Sequence, residues 1–244
     1  MTDTSPQSSE SKGGSRLKRQ IEGIIWTVFV VLLIRAFIVQ AYTIPSASME
    51  DTLLPGDFVL VAKFLYGLEI PYTHVRFLDF YKPHRQEIVV FPFPLDPRKD
   101  FVKRCVAVAG DTVQIVHKKL YINGKPVEEP YAVHKDPREY PPVFVPQDTV
   151  AMKEYTQAWI QRQYLRNPGV RDNFGPVVVP EGHIFVMGDN RDYSLDSRFW
   201  GPLPVKLVKG RPFIIYFSWN PDPPLRQFWK KIRWHRLLKI VFWA

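Results

Sequence analysis

Proline is the feature that most constrains how this chain can fold, because 23 of the 244 residues are proline and 13 more are glycine. Proline lacks the N–H that a helix interior needs, and both residue types favour turns over long regular elements. A bundle of long helices is therefore disfavoured. The sequence predicts a mainly β fold, in which short strands form antiparallel sheets joined by turns.

Residues 21–42 are the exception, since this stretch is apolar over nearly its whole length. It is long enough to cross a bilayer. Arg35 lies in its C-terminal half, where the side chain can snorkel toward the interface. We predict one N-terminal transmembrane helix over 21–42. A cleaved secretory signal is the alternative, disfavoured by the length of the stretch and by the lack of a following Ala-x-Ala site.

The charges on either side of this span predict its orientation. Residues 1–20 are polar and rich in Ser, Gly and Lys, so we expect a disordered tail. Basic residues precede the span and acidic residues follow it: Lys12, Arg16, Lys18 and Arg19 before, and Glu50, Asp51 and Asp57 after. The positive-inside rule then leaves 1–20 in the cytoplasm and the chain after about residue 43 on the outer, periplasmic face of the cell membrane.

The remainder divides by pattern into a β-domain in two parts, residues 43–126 and 176–227, separated by an insertion or cap region at 127–175. Apolar β-like runs bounded by Pro, Gly or Asp mark the two parts, and Asn123-Gly124 predicts a hairpin. The insertion opens with a Pro- and Tyr-rich stretch. Helical spacing of apolar residues after Asp148 then predicts a helix that Asp148 caps.

Residues 228–244 interleave aromatic and basic side chains without any acid. Six of the nine net positive charges lie between 226 and 244, so the basicity of the chain is a local surface property. The stretch is too short in apolar residues to span a bilayer. Two interpretations remain open: a membrane-surface tail against anionic lipid headgroups, or an edge strand with an exposed basic face.

Several classes of site are excluded by composition and spacing. Cys105 is the single cysteine, so no intrachain disulfide forms, and its apolar neighbours predict a buried thiol. The six histidines show no metal-binding spacing, and neither a glycine-rich phosphate loop nor a Gly-x-Ser-x-Gly motif occurs. Residues 192–203 lack the glycine and glutamate of a calcium loop. We therefore expect no metal and no cofactor.

Three polar or proline-containing segments carry the remaining chemistry: residues 44–57, 101–111 and 188–201. In the second, Lys103 and Arg104 stand together in an apolar strand. Strand alternation places them on opposite faces, so periodicity alone does not decide which one points inward. Lysine is the better base, because it can lose its proton when desolvated whereas arginine effectively cannot.

In this order behind one membrane span, the three segments resemble bacterial type I signal peptidase, a Ser/Lys dyad protease. The resemblance runs from the span to the Trp-rich C-terminal region, excluding the tail and much of 127–175. It implies a membrane-bound serine endopeptidase that cleaves N-terminal signal peptides from exported preproteins. Ser48, before Met49, matches the nucleophile, and Lys103 matches the general base. A serine hydroxyl needs such a base, and burial can lower a lysine pKa from about 10.4 by several units.

The resemblance also implies the supporting residues. Ser46 matches a serine whose hydroxyl joins the Ser48 backbone N–H in the oxyanion hole. Ser194 matches the serine that orients the lysine amine. Asp196 and Arg198 match a supporting ion pair. The implied partners are preproteins with signal peptides, the lipid bilayer and its anionic lipids. Ser48 lies six residues after the span, which keeps it close to the membrane surface where a signal peptide emerges.

Two departures from the family pattern stand near these segments. The family usually has proline where this chain has Asp51, and Gly-Asp where it has Gln86-Glu87. The first predicts an altered turn after the nucleophile, and the second weakens the assignment of a strand at 88–91.

Other functions fit the sequence less well. A non-catalytic, membrane-tethered β-domain that binds a partner is the first alternative, and an organellar member of the same family is the nearest variant. Nucleic-acid binding through the basic tail conflicts with the predicted external location, so we expect no nucleic-acid partner. A penicillin-binding protein would need Ser-x-x-Lys near the dyad, and no such motif occurs there.

Overall fold

A computed structural model describes residues 11–69, 76–77 and 81–241. Four helices are assigned: α1 Ser11–Phe37, α2 Thr149–Ile160, α3 Ser197–Trp200 and α4 Phe228–Lys231. The strands are β1 Val39–Thr43, β2 Asp57–Ala62, β3 Leu68–Glu69, β4 Arg76–Phe77, β5 Ile88–Phe93, β6 Asp96–Val108, β7 Thr112–Val116, β8 Lys119–Ile122, β9 Lys125–Pro126, β10 Phe174–Val178, β11 His183–Met187, β12 Leu203–Pro204, β13 Arg211–Ser218 and β14 Lys239–Ile240.

The strands form three four-stranded sheets, ordered β1-β2-β13-β14, β10-β7-β8-β9 and β12-β11-β6-β5, and one pair, β3-β4. Every pairing within these sheets is antiparallel. The prediction of a mainly β, antiparallel fold is confirmed. The Asn123-Gly124 hairpin is confirmed as well, because both residues have positive φ and join β8 to β9.

The N-terminal part differs in detail from the sequence-based expectation. Residues 1–10 of the predicted disordered tail lie outside the described part of the chain, but 11–20 form the first turns of α1. Once the apolar segment is helical, extending the helix backward by a few turns costs little free energy, because nucleation is the unfavourable step. At the other end α1 stops at Phe37, and β1 already pairs with β2, with Val39 opposite Ala62.

Within the described residues, no helix combines the length and the mean hydropathy that crossing a membrane requires. The transmembrane helix over 21–42 therefore stays a prediction.

The insertion contains the predicted helix. Ala151 N–H donates to the Asp148 carboxylate at 2.8 Å, so Asp148 caps α2 as its sequence position indicates. Tyr155 and Trp159 are the buried residues of α2, and they pack on the apolar face that β7, β8, β10 and β11 share. Helix α2 thus covers one side of the sheet that contains β10.

The Gln86-Glu87 departure does not prevent the strand that follows it, because β5 spans Ile88–Phe93. Gln86 has a φ of 72°, a left-handed conformation that the glycine usual in the family adopts without strain. The Glu87 carboxylate accepts hydrogen bonds from Tyr66, from Tyr81 and from Arg211. These contacts provide buried partners for its charge.

The sheet that begins with β1 packs against β5, because an apolar cluster joins Val59 and Val61 of β2 to Ile88 and Val90 of β5. At its other edge β14 pairs with β13, with Ile240 opposite Ile214. For residues 239–240, the edge strand is therefore the interpretation that the structure supports.

Candidate active site

Ser48 lies on a single 3₁₀ turn, Ala47–Met49, that follows β1. Apolar neighbours anchor the turn, since Ile44 and Met49 are both buried in the cluster between the sheets. The chain then reverses in a type II turn, in which Thr52 N–H donates to Met49 O at 3.2 Å and Asp51 has a φ of 74°. Ser48 is left 9% exposed at the rim of a cleft.

Lys103 extends from β6, where it stands opposite Val89 of β5. Its side chain is almost fully buried, and Nζ donates to Ser48 Oγ at 2.7 Å and to Val102 O at 3.0 Å. The Phe101 ring lies 5.0 Å from Nζ. The fold therefore brings together the two residues that the resemblance pairs, although they are far apart in sequence.

Burial lowers the pKa of the Lys103 amine to about 8, against the opposing effect of the Asp196 and Asp189 carboxylates. Removing the amine from water disfavours its charged form, which is the cause of the shift. At neutral pH roughly a tenth of the molecules hold a neutral lysine that can accept a proton.

Arg104 points to the other side of β6 and is also buried. Its guanidinium forms two hydrogen bonds to Asp189, Nε to Oδ1 at 2.8 Å and Nη2 to Oδ2 at 2.7 Å, and it stacks on the Tyr131 ring. Thr52 Oγ1 donates to the same Asp189 carboxylate at 2.6 Å. This network ties the turn that carries Ser48, the proposed nucleophile, to β6; we call it the nucleophile turn. No pattern in the sequence marked Asp189 or Thr52 as part of it.

Ser46 immediately precedes the turn but makes no capping hydrogen bond, and its hydroxyl lies 3.3 Å from Ser48 Oγ. Ser194 is buried close behind the nucleophile, and Gly188 separates the two. A Cβ at Gly188 would lie 2.3 Å from Ser194 Oγ and 2.4 Å from Ser48 O, so no side chain fits there. Among the described atoms, Ser194 Oγ makes no hydrogen bond of normal geometry, and Lys103 is not its partner here.

Asp196 and Arg198 form the ion pair that the resemblance implied. Two hydrogen bonds of 2.8 Å join the guanidinium to both carboxylate oxygens, and both side chains are buried. Burial acts to raise the pKa of the Asp196 carboxyl, but Arg198 outweighs it and holds that pKa below its usual value. Arg198 also donates to Arg171 O and Arg191 O, which joins the pair to neighbouring loops.

Asn190 is a further residue that the sequence did not single out. Its backbone N–H donates to Ser48 O at 3.2 Å, and its side-chain amide donates to Ala47 O at 3.2 Å and to Glu50 at 3.1 Å. Asp189 and Asn190 both stand in the polar segment 188–201, whose density of charged and amide residues is the signal that marks it.

The cleft beside the dyad has a volume of about 330 Å³. It is lined by residues 42–46 with the nucleophile turn, by residues 99–103 of β6, and by Tyr193 and Leu195. Its walls are mostly apolar side chains together with the extended backbone of β1 and β6. In the parts of the chain that the structure describes, no group of three or more His, Cys, Asp or Glu residues has the arrangement of a metal site.

Comparison with known proteins identifies the family of the chain. The family model for signal peptidase, peptidase S26, matches residues 17–219. Signal peptidase I of Pseudomonas aeruginosa is 35% identical over 209 residues, which cover 81% of this chain and 71% of that protein. Signal peptidase I of Aquifex aeolicus is 37% identical over 231 residues, covering 83% of this chain and 85% of that protein. A crystal structure of a signal peptidase I from Enterococcus faecalis V583 has a TM-score of 0.36 at 29% identity, covering 54% of this chain and 97% of that chain.

The chain therefore belongs to the signal peptidase family, peptidase S26, and is a serine endopeptidase. Its similarity to the bacterial signal peptidase I proteins groups it with the bacterial type I enzymes. The family resemblance that the three segments indicated is confirmed.

Proposed function

We propose that this protein is a membrane-bound endopeptidase that removes N-terminal signal peptides from exported preproteins, with Ser48 as nucleophile and Lys103 as general base. The observation that carries the proposal is the 2.7 Å hydrogen bond between Lys103 Nζ and Ser48 Oγ, made by a buried amine at the end of an apolar cleft. A nucleophile in contact with a base of lowered pKa is the arrangement that acyl transfer requires.

In the acylation step, neutral Lys103 accepts the Ser48 hydroxyl proton while Oγ attacks the scissile carbonyl. The tetrahedral intermediate collapses when protonated Lys103 donates that proton to the leaving amine, which frees the mature protein. Water then attacks the acyl-enzyme with Lys103 again as base, and the signal peptide leaves with a new carboxylate. Each proton that the amine accepts is returned within the same half-reaction.

The neighbouring residues support these steps. The Ser46 hydroxyl and the Ser48 backbone N–H are the donors that we assign to the oxyanion hole. Ser194 is assigned to orient the lysine amine because the resemblance implies that role; its hydroxyl is buried near Ser48 but does not bond to Lys103 in this structure. The Asp196–Arg198 pair holds the segment that carries Ser194 and adds to the electrostatic environment of the amine.

Membrane attachment is proposed from the apolar segment and the position of the cleft. The apolar part of α1 ends at Phe37 and leads into β1, whose C-terminal end lines the cleft, so Ser48 lies a short distance along the chain from the proposed span. We propose a single-pass protein of the cell membrane with a cytoplasmic N-terminus and an external catalytic domain. Protease added to intact spheroplasts should then cleave residues beyond 43 but not the N-terminal tail. Protection of the β-domain would contradict this topology.

The C-terminal region is proposed to contact anionic lipid. Phe228, Trp229 and Trp234 are exposed, and Lys230 and Lys239 are exposed near them in the chain. Aromatic rings interleaved with cations suit the headgroup region of a bilayer. Edge strand β14 and this lipid contact are compatible, because pairing uses the backbone and leaves these side chains in solvent.

The dyad is tested by cleavage of a model preprotein by the purified full-length protein in detergent. Ser48→Ala should abolish cleavage without changing the folded state. Lys103→Arg keeps the charge, but guanidinium cannot accept a proton near neutrality, so it should be as inactive as Lys103→Met. Lys125→Arg, an exposed position on β9, is the matched control and should cleave normally. Substantial activity in Lys103→Arg would exclude lysine as the base.

A further inference from the structure

The two-residue turn between β7 and β8 has an unusual backbone. Val116 and Lys119 are paired across the hairpin, and the turn residues His117 and Lys118 have φ values of 48° and 67°. Turns of this kind favour Asn and Gly, because a Cβ in the left-handed region is strained. An observed outlier of this sort calls for contacts that stabilise it.

Those contacts come from the segment around residue 172. Lys118 N–H donates to Asp172 O at 2.9 Å, and His117 N–H donates to Asn173 Oδ1 at 3.0 Å. The turn therefore directs the Lys118 side chain inward. There Nζ donates to Asp136 O at 2.6 Å and to Asp192 Oδ1 at 3.1 Å.

Asp192 is the buried centre of this arrangement, since its side chain is 1% exposed. Its other oxygen, Oδ2, accepts the Asp136 backbone N–H at 2.8 Å. Arg171 Nε lies 3.9 Å and His134 Nδ1 lies 3.7 Å from Oδ1.

The charges around Asp192 are balanced. Three buried carboxylates, of Asp136, Asp172 and Asp192, face three cations, of Lys118, Arg138 and Arg171. Loss of one cation would leave a buried carboxylate without full compensation, which is strongly unfavourable.

Asp192 belongs to the same loop that touches the nucleophile. On one side of the loop, Val133 N–H donates to Asp189 O at 2.8 Å and Arg191 N–H donates to Val133 O at 2.9 Å. On the other side, Asn190 N–H donates to Ser48 O at 3.2 Å. The loop thus lies between the insertion and the nucleophile turn. Lys118 contacts the loop through its hydrogen bond to Asp192.

We propose that Lys118 and Asp192 are positioning residues, which lock the 188–196 loop against the insertion and so hold Ser48 and Ser194 in register with Lys103. The inference rests on the proposed dyad and assigns a role to the 127–175 insertion, which supplies His134, Asp136 and Arg171 around the Asp192 carboxylate. Neither Lys118 nor Asp192 touches the substrate or the reacting atoms.

The test compares Lys118→Met with Lys119→Met in the full-length protein. Lys119 is the adjacent lysine in the chain but is exposed, so its loss controls for the change in charge and composition. We expect Lys118→Met to lower kcat by roughly 10- to 100-fold with little change in KM, because a small displacement of a catalytic group has an effect of that size. Lys119→Met should match the wild type.

Two readouts separate positioning from a merely structural role. The kcat/KM pH profile of Lys118→Met should shift, because Asp189 and Asp196, both at the 188–196 loop, act on the Lys103 amine, and Lys118 is not among the groups that do. Lys118→Arg keeps the charge and should recover most of the lost kcat. If Lys118→Met folds poorly, Asp192→Asn replaces it: this variant keeps the shape, removes the charge, and should show the same kcat loss and pH shift.

A Lys118→Met or Asp192→Asn protein with a lower Tm but wild-type kcat and pH profile per folded molecule would overturn the proposal. So would a loss of kcat that Lys119→Met shares. These outcomes differ from failure of the dyad itself, which would appear as activity in Ser48→Ala or Lys103→Arg whatever the result at position 118.

Discussion

Lys103 combines two properties at the scale of a single residue: contact with a hydroxyl and removal from water. The amine donates to Ser48 Oγ and to Val102 O, while its neighbours are otherwise largely apolar. Burial is the main reason that its pKa falls to about 8, and the carboxylates of Asp196 and Asp189 limit the fall. The proposed base is therefore a lysine whose pKa burial has lowered, and no histidine is required.

This pKa predicts how activity depends on pH. In the proposed mechanism the neutral amine is the base, and it is the form lost as pH falls through the folded-state pKa. We expect kcat/KM to be low below neutrality, to rise with pH through about 8, and then to level off. A pH–rate profile with a signal-peptide substrate measures this directly. A midpoint close to the free-lysine value, about 10.4, would contradict a buried neutral base.

Asp51 sets the shape of the turn that follows the nucleophile. Its φ is 74°. Gly adopts this conformation readily and Asp adopts it with some strain, but the proline ring fixes φ near −65°. Proline, usual in the family at this position, therefore cannot adopt the turn seen in this chain.

Two substitutions test the turn. We expect Asp51→Pro to lower the free energy of unfolding by more than about 1 kcal/mol and to impair cleavage, because the Thr52 to Met49 hydrogen bond is lost. Asp51→Gly, the control, should keep both stability and activity. Thermal unfolding and preprotein cleavage measure the two effects, and a fully active Asp51→Pro protein would exclude this turn geometry.

At the scale of elements, α2 connects the insertion to the part of the site that carries the ion pair. Trp159 of α2 stacks on Phe185 of β11 with ring centroids 5.5 Å apart, and its Nε1–H donates to Ser197 O at 2.6 Å. Ser197 begins α3, directly between Asp196 and Arg198. The insertion therefore contacts the sheet, through Phe185, and also the segment 196–198 that carries the ion pair, through Ser197.

Removing this link should destabilise the protein. Trp159→Phe removes one of the two donors to Ser197 O, since Gly201 N–H remains, and leaves a void where the buried indole was. We expect the two effects together to lower the free energy of unfolding by about 1–3 kcal/mol. Trp229→Phe removes an exposed indole and should stay within about 0.5 kcal/mol of the wild type. Equal stability of the two variants would show that the Trp159 hydrogen bond does not hold α3.

At the scale of the whole molecule, the exposed apolar residues of the described chain are concentrated in α1, with smaller groups in the C-terminal region and in the insertion at 143–150. The sheet that contains β1 also contains β14, so the chain that leaves α1 and the chain that carries the basic aromatic tail belong to one sheet. This shared sheet supports the proposal that α1 and the C-terminal region face the same membrane.

Lipid contact of the tail is testable with the full-length protein in vesicles. We expect acyl-chain quenchers to reduce tryptophan fluorescence more in vesicles with anionic lipid than in zwitterionic ones, with the difference shrinking as salt rises. Trp26 lies in the proposed span and should be quenched equally in both kinds of vesicle. A Trp229→Phe/Trp234→Phe protein should lose most of the extra quenching that anionic lipid causes, whereas Phe144→Ala, in the insertion, should keep it. No difference in quenching between anionic and zwitterionic vesicles, or a difference that the double variant keeps in full, would argue against the proposed surface.

The local pattern of the sequence was sufficient for the β class, for the helix after Asp148 and for the Asn123-Gly124 hairpin. Turn residues and caps act through neighbours a few positions away, and such effects can be read along the chain. The family resemblance could likewise be recognised in the sequence, because each of its three segments is short and continuous in the chain.

Only the tertiary structure decided which contacts those segments make. Alternation along β6 left Lys103 and Arg104 equivalent, and the choice depended on what each face meets: Ser48 on one side and Asp189 on the other. Burial of the lysine, and hence its pKa, comes from strands and loops distant in sequence that close around it. The role of Lys118 was likewise invisible, because the Asp136, Asp172 and Asp192 carboxylates that surround it come together only when the insertion folds onto the β7–β8 turn.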